Sequence, residues 1–92
     1  MTEQIVKKTL IINNKNGLHA RPAALLVKTA GKFKSLINLS KDGLVVNAKS
    51  ILGVMTLAAE FGSEIEIIAT GEDAEQAVAA IEEVINSKFE EE

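Results

Sequence analysis

Asn16-Gly17-Leu18-His19-Ala20-Arg21-Pro22-Ala23-Ala24 is where the chain changes from one kind of order to another. Before it, residues 5–12 (Ile-Val-Lys-Lys-Thr-Leu-Ile-Ile) are rich in β-branched side chains and run into Asn13-Asn14-Lys15-Asn16-Gly17, which predicts a strand and then a loop. After it, Ala20, Ala23, Ala24, Val27 and Ala30 recur at helical spacing and Gly31 offers a stop, so a helix of about three turns is expected. Pro22 fits such a helix only in its first turn, where its missing N–H costs nothing. His19 then falls at the N-cap, beside backbone N–H groups that have no partner within the helix.

Working outward, Ser35–Ser40 and Leu44–Asn47 are short strand-like runs separated by Lys41-Asp42-Gly43, a strong hairpin signal. Ser50 is a good N-cap for a short helix through residues 51–59, weakened by Gly53. Phe61-Gly62-Ser63 turns the chain into Glu64–Thr70, whose alternation puts Ile65, Ile67 and Ala69 on one face of a strand. The last helix carries Ala74, Ala77, Val78, Ile81, Val84, Ile85 and Lys88 on one stripe, with Asp73 as N-cap and Gln76 in a capping-box-like position. Phe89-Glu90-Glu91-Glu92 reads as a frayed, solubilising tail. The order is β-α-β-β-α-β-α. One-sided strands and single-stripe helices point to an α+β domain of two layers, an antiparallel sheet with helices on one face.

Composition narrows the chemistry. Ninety-two residues make one domain, 1–92, with enough Ile, Leu, Val and Ala for a core. There is no cysteine, which removes disulfides, thiol catalysis and Cys-based metal sites, and a single histidine is too few for a metal centre. No apolar run approaches the ~20 residues of a membrane span, and Met1-Thr2-Glu3-Gln4 does not read as a signal peptide. A cytoplasmic protein with no membrane insertion is expected. Residues 1–49 carry nine Lys or Arg against two acids, net +7, whereas residues 50–92 carry one Lys against eleven acids, net −10. The histidine lies in the basic half, which suits an acidic partner. Nucleic acid is disfavoured, because the chain is acidic overall and lacks basic–aromatic interleaving.

The stretch around His19 holds the only histidine, arginine and proline in the chain. Acid–base or triad catalysis would need an orienting or nucleophilic partner, and no carboxylate lies nearby in sequence. Attack on phosphorus asks for less: an exposed ring nitrogen, donors for the phosphoryl oxygens and a cation. Helix-opening amides supply the donors and Arg21 the cation. A lone histidine before a helix also serves as a cap or structural residue, and this stretch alone leaves both readings open.

Gly17-Leu18-His19-Ala20-Arg21-Pro22-Ala23, together with Lys49-Ser50-Ile51-Leu52-Gly53-Val54-Met55, resembles the HPr family, the histidine-containing phosphocarriers of the bacterial phosphoenolpyruvate-dependent sugar phosphotransferase system. The resemblance runs from the first strand to the final helix and agrees in length and element order. It implies an open-faced sandwich with sheet order 1-4-2-3. It implies that His19 accepts a phosphoryl group on Nδ1 (the pros nitrogen) from phosphorylated enzyme I and passes it to the A components of sugar permeases. Arg21 and the helix-opening amides would hold the phosphoryl oxygens. It also implies a stoichiometric carrier, not an enzyme, and a monomer needing neither cofactor nor metal.

Ser50 matches the family's regulatory serine, a substrate of an ATP-dependent HPr kinase in organisms that possess one. A serine before an apolar run is also an ordinary N-cap, and both roles are compatible. Phosphoserine there would place a dianion among Ile51, Leu52 and Met55 and change what docks. Those three residues are too apolar for a wet helix and form a candidate partner-binding patch, extended by Ala20, Ala24 and Lys28 down the first helix, while Val54 is expected in the core. Three other readings compete. One is a phosphoserine-dependent partner of a carbon-catabolite transcription regulator, against which retention of His19 argues. Another is a nitrogen-branch carrier, less favoured by the Lys49–Met55 match. The last is a small ligand- or RNA-binding module, disfavoured by the few aromatics and the acidic balance.

Overall fold

A computed structural model describes residues 4–90. The elements are β1 (Gln4–Ile11), α1 (Ala20–Ala30), β2 (Leu36–Lys41), β3 (Leu44–Asn47), α2 (Ile51–Thr56), β4 (Glu64–Gly71) and α3 (Ala74–Asn86), closed by a 3₁₀ turn at Lys88–Glu90. All strand pairs are antiparallel and the sheet order is β1-β4-β2-β3, as the resemblance implies.

β4 is the axis of the sheet, pairing with β1 from Gln4↔Gly71 to Ile11↔Glu64 and with β2 from Leu36↔Thr70 to Ser40↔Glu66. Its alternation buries Ile65, Ile67, Ala69 and Gly71 under the helices. Ile37 and Leu39 of β2 join them, as do Ala77, Val78, Ile81 and Ile85 of α3. The other face of the sheet is open, with Ile5 and Leu36 exposed on either side of Thr70. β2 and β3 are joined by Asp42 and Gly43 alone, both at positive φ (51° and 86°), the two-residue turn whose twist matches the flanking strands.

Four details depart from the sequence reading. First, the buried stripe of α1 is Pro22, Ala23, Leu26, Thr29 and Ala30, so Val27 of the helical-spacing set is only half-buried, while Ala20 and Ala24 face outward as the surface-patch reading has them. The two adjacent leucines divide, Leu26 going fully into the core and Leu25 lying half-buried at its edge. Second, α2 stops at Thr56 because Ala58 takes a positive φ of 50°, although Leu57 and Ala59 remain buried.

Third, Asp73 does not cap α3 with its side chain. Its carboxylate instead reaches the α1–β2 loop, accepting the N–H groups of Lys34 and Ser35 at 2.9 Å each and the Ser35 hydroxyl. Gly71 makes room for this tie: a Cβ there would lie 2.5 Å from Ser35 Oγ, at a φ of +149°. Fourth, Phe89 is not a tail residue. It is 4% exposed, and positive φ at Lys88 and Phe89 folds it back into the core after α3 has ended at Asn86. Lys88 therefore lies beyond the α3 stripe. Glu91 and Glu92, the rest of the expected tail, lie outside the described residues.

The fold also mixes the two charge halves. β1, from the basic half, lies beside β4, from the acidic half, and Lys8 pairs with Glu82 of α3 at 2.9 Å. No helix among the described residues is long and apolar enough to cross a membrane.

Candidate functional site

His19 occupies the N-cap of α1 in an extended conformation, φ −83° and ψ −169°. Its carbonyl accepts the N–H of Ala23 at 2.9 Å, while its imidazole makes no capping bond to the first turn. The helix therefore begins at Ala20, and the amides of Ala20 and Arg21 open it without intrahelical acceptors. Pro22 follows and has no N–H to offer. The first turn carries no acidic residue, and Arg21 is exposed. An extended, half-buried histidine, two helix-opening amides, a guanidinium two residues on and a first turn without acidic residues form an anion-receiving arrangement.

The loop ahead of His19 is pinned by its own turn and by a distant segment. Asn14 is buried, and its Nδ2 donates to the Gly17 carbonyl at 2.8 Å while the Gly17 N–H donates to the Asn14 carbonyl at 3.2 Å. Leu18 N–H donates to the Ala59 carbonyl at 2.8 Å. Gly17 has φ +70°, and a Cβ there would lie 2.5 Å from the Ala59 carbonyl oxygen and 2.8 Å from the Glu60 Cα. Gly17→Ala is accordingly expected to destabilise by about 2–4 kcal/mol, combining the left-handed backbone penalty with a clash against main chain. Urea unfolding followed by circular dichroism checks this.

α2 packs against α1. Ser50 is its N-cap, as expected: Oγ accepts the Gly53 N–H at 3.1 Å and the carbonyl accepts the Val54 N–H at 2.9 Å. Ser50→Ala should cost about 1 kcal/mol in thermal stability, measured on the unphosphorylated protein. Lys49 anchors the segment, with Nζ donating to the Phe33 carbonyl at 2.7 Å. Val54 is buried as expected, whereas Ile51, Met55 and especially Leu52, 76% exposed, face solvent. Ala20, Ala24 and Lys28 are also exposed. The residues read from sequence as a surface patch are thus at the surface of two adjacent helices.

Sequence reasoning passed over two contributors. Asn14 carried a readable sign, an Asn at the first position of a turn with Gly at the fourth. The approach of Ala59 and Glu60 to Gly17 carried none, because nothing local links positions more than forty residues apart.

The model of the family described as the PTS HPr component phosphorylation site matches residues 6–87. The chain belongs to the HPr family. Phosphocarrier protein HPr of Treponema pallidum is 51% identical over 88 residues, covering 96% of this chain and 100% of that one. The crystal structure of HPr from Thermoanaerobacter tengcongensis superposes with a TM-score of 0.92 at 50% identity, covering 95% and 98% of the two chains. The crystal structure of Crh, a catabolite repression protein of Bacillus subtilis described as a domain-swapped dimer, has a TM-score of 0.67 at 45% identity and covers 95% of each chain. HPr-family proteins are phosphocarrier components of the phosphotransferase system and not enzymes.

Proposed function

We propose that His19 is the phosphoryl acceptor. The observation that carries this reading is a histidine at the N-cap of α1 whose imidazole is not used as a cap, ahead of a first turn that carries Arg21 and no acidic residue. The Nδ1 lone pair attacks phosphorus as the bond to the donor, phosphorylated enzyme I, breaks. One N–P bond forms and one P–donor bond is lost, so the phosphoryl group changes carrier with its three oxygens intact. The Ala20 and Arg21 amides and the Arg21 guanidinium receive those oxygens. In the reverse sense the group passes to the A component of a sugar permease. Ile51, Leu52 and Met55 of α2, with Ala20, Ala24 and Lys28 of α1, form the docking surface for both partners. One copy of the chain supplies every group named, so a monomer suffices.

Incubation with enzyme I and phosphoenolpyruvate should add one acid-labile phosphoryl group, seen by intact-mass spectrometry. Failure to gain it overturns the reading. Preferential transfer to a nitrogen-branch acceptor would move the chain to that branch.

Ser50 is the regulatory site in this reading. Its position among exposed Ile51, Leu52 and Met55 supports it, since a dianion there repels an acidic or apolar partner face, and likeness to Crh favours a link to a catabolite transcription regulator. HPr kinase with ATP should yield an acid-stable phosphoserine at Ser50. An unmodified serine sinks this part alone.

A further inference from the structure

We propose that Asn14 is a positioning residue for His19, its buried carboxamide fixing where the imidazole is presented to a phosphoryl donor. The proposal rests on the reading of His19 as the acceptor.

Asparagine is mostly an exposed residue type, yet Asn14 is 0% exposed. What it does there is visible in its bonds. The 14–17 turn is closed by the main chain, Gly17 N–H to Asn14 carbonyl at 3.2 Å, and again by the side chain, Asn14 Nδ2 to Gly17 carbonyl at 2.8 Å. The side-chain bond is the shorter, and it satisfies a carbonyl on a residue that is itself buried. One residue on, Leu18 is tied to Ala59; two residues on, the His19 carbonyl is tied to Ala23 at 2.9 Å. The backbone of His19 is thus held on its N-terminal side by the turn and on its C-terminal side by the helix. That backbone sets where the Cβ of His19 stands, and with it the point from which the ring is presented. Asn14 closes the turn from within the core.

Removing the Nδ2 donor loosens the loop while leaving α1, α2 and the core in place. In-line transfer needs the ring nitrogen close to phosphorus and aligned with the departing bond, and a displacement of about 1 Å is enough to lower the rate by up to about 10²-fold. A positioning role therefore predicts a loss in kcat. Docking on the exposed faces of α1 and α2 is untouched, so KM stays.

The test takes the protein as the varied substrate of enzyme I with phosphoenolpyruvate, comparing wild type, Asn14→Ala and Asn14→Asp. Asn14→Asp matches asparagine in size but, when ionised, has no proton to donate to Gly17, so it carries the test if Asn14→Ala does not fold. Each folded variant should show kcat lowered about tenfold or more, KM within about twofold of wild type, and faster hydrogen exchange at the Leu18 amide with β4 amides unchanged. An unchanged kcat, or a raised KM at constant kcat, overturns the proposal. If the wild type itself takes up no phosphoryl group, the acceptor reading falls and this proposal with it. If the wild type is active and the variants match it, only Asn14 is refuted.

Discussion

His19→Ala is expected to take up no acid-labile phosphoryl group from enzyme I and phosphoenolpyruvate. The effect is total because the chain has no second histidine and no cysteine to substitute as nucleophile. The start of α1 should be kept, because the imidazole makes no capping bond and the capping carbonyl belongs to the backbone, which alanine retains. Arg21→Ala separates nucleophile from electrostatic support. With the acceptor in place and one cation removed, uptake should persist but slow by roughly 10–10²-fold, the scale on which a single positioned donor acts. Mass spectrometry before and after acid treatment, with far-ultraviolet circular dichroism on the same samples, checks both variants. An acid-labile adduct on His19→Ala would place the acceptor elsewhere.

Asp73→Ala should bring a large loss of stability from a residue outside the apolar core. Its carboxylate accepts three hydrogen bonds from Lys34 and Ser35, joining the loop after α1 to the start of α3. Losing all three is expected to lower Tm by about 10 °C or more at neutral pH. The carboxyl is held below its ordinary value of 3.8, first by the Ser35 hydroxyl and then by the Lys34 amide. A depressed folded-state pKa means that the stabilisation is fully present above about pH 4 and is lost as pH falls through the folded value. The Tm gap between wild type and Asp73→Ala should therefore narrow at pH 2–3. Thermal melts at pH 7 and in that acid range decide it, and an equal gap at both would mean that the carboxylate's charge is irrelevant.

Asp73 also shows why part of the fold was hidden in the sequence. An aspartate before an amphipathic helix has every local mark of an N-cap, and only its pairing with Ser35, remote in sequence, diverts it. Phe89 was misread for a related reason. Three following glutamates made the end of the chain look solvated, while the positive φ values that turn the ring inward have no sequence signature in Lys88 or Phe89. The phase of α1 was blurred because alanine is nearly indifferent to burial. Elements with a single dominant period were readable: the alternation of β4, the stripe of α3 and the Asp42-Gly43 turn. Of the site, the two N-caps His19 and Ser50 and the exposed residues of α2 were legible because capping and amphipathicity are local. The clamp on Gly17 by Ala59 and Glu60 was not, since tertiary folding alone brings those segments together.

The most direct measurement of the central claim is the atom that carries phosphorus. With ¹⁵N-labelled protein phosphorylated by enzyme I and phosphoenolpyruvate, ³¹P–¹⁵N coupling should appear at Nδ1 of His19. Coupling at Nε2, or phosphorus on an oxygen such as Ser50 Oγ, would contradict it.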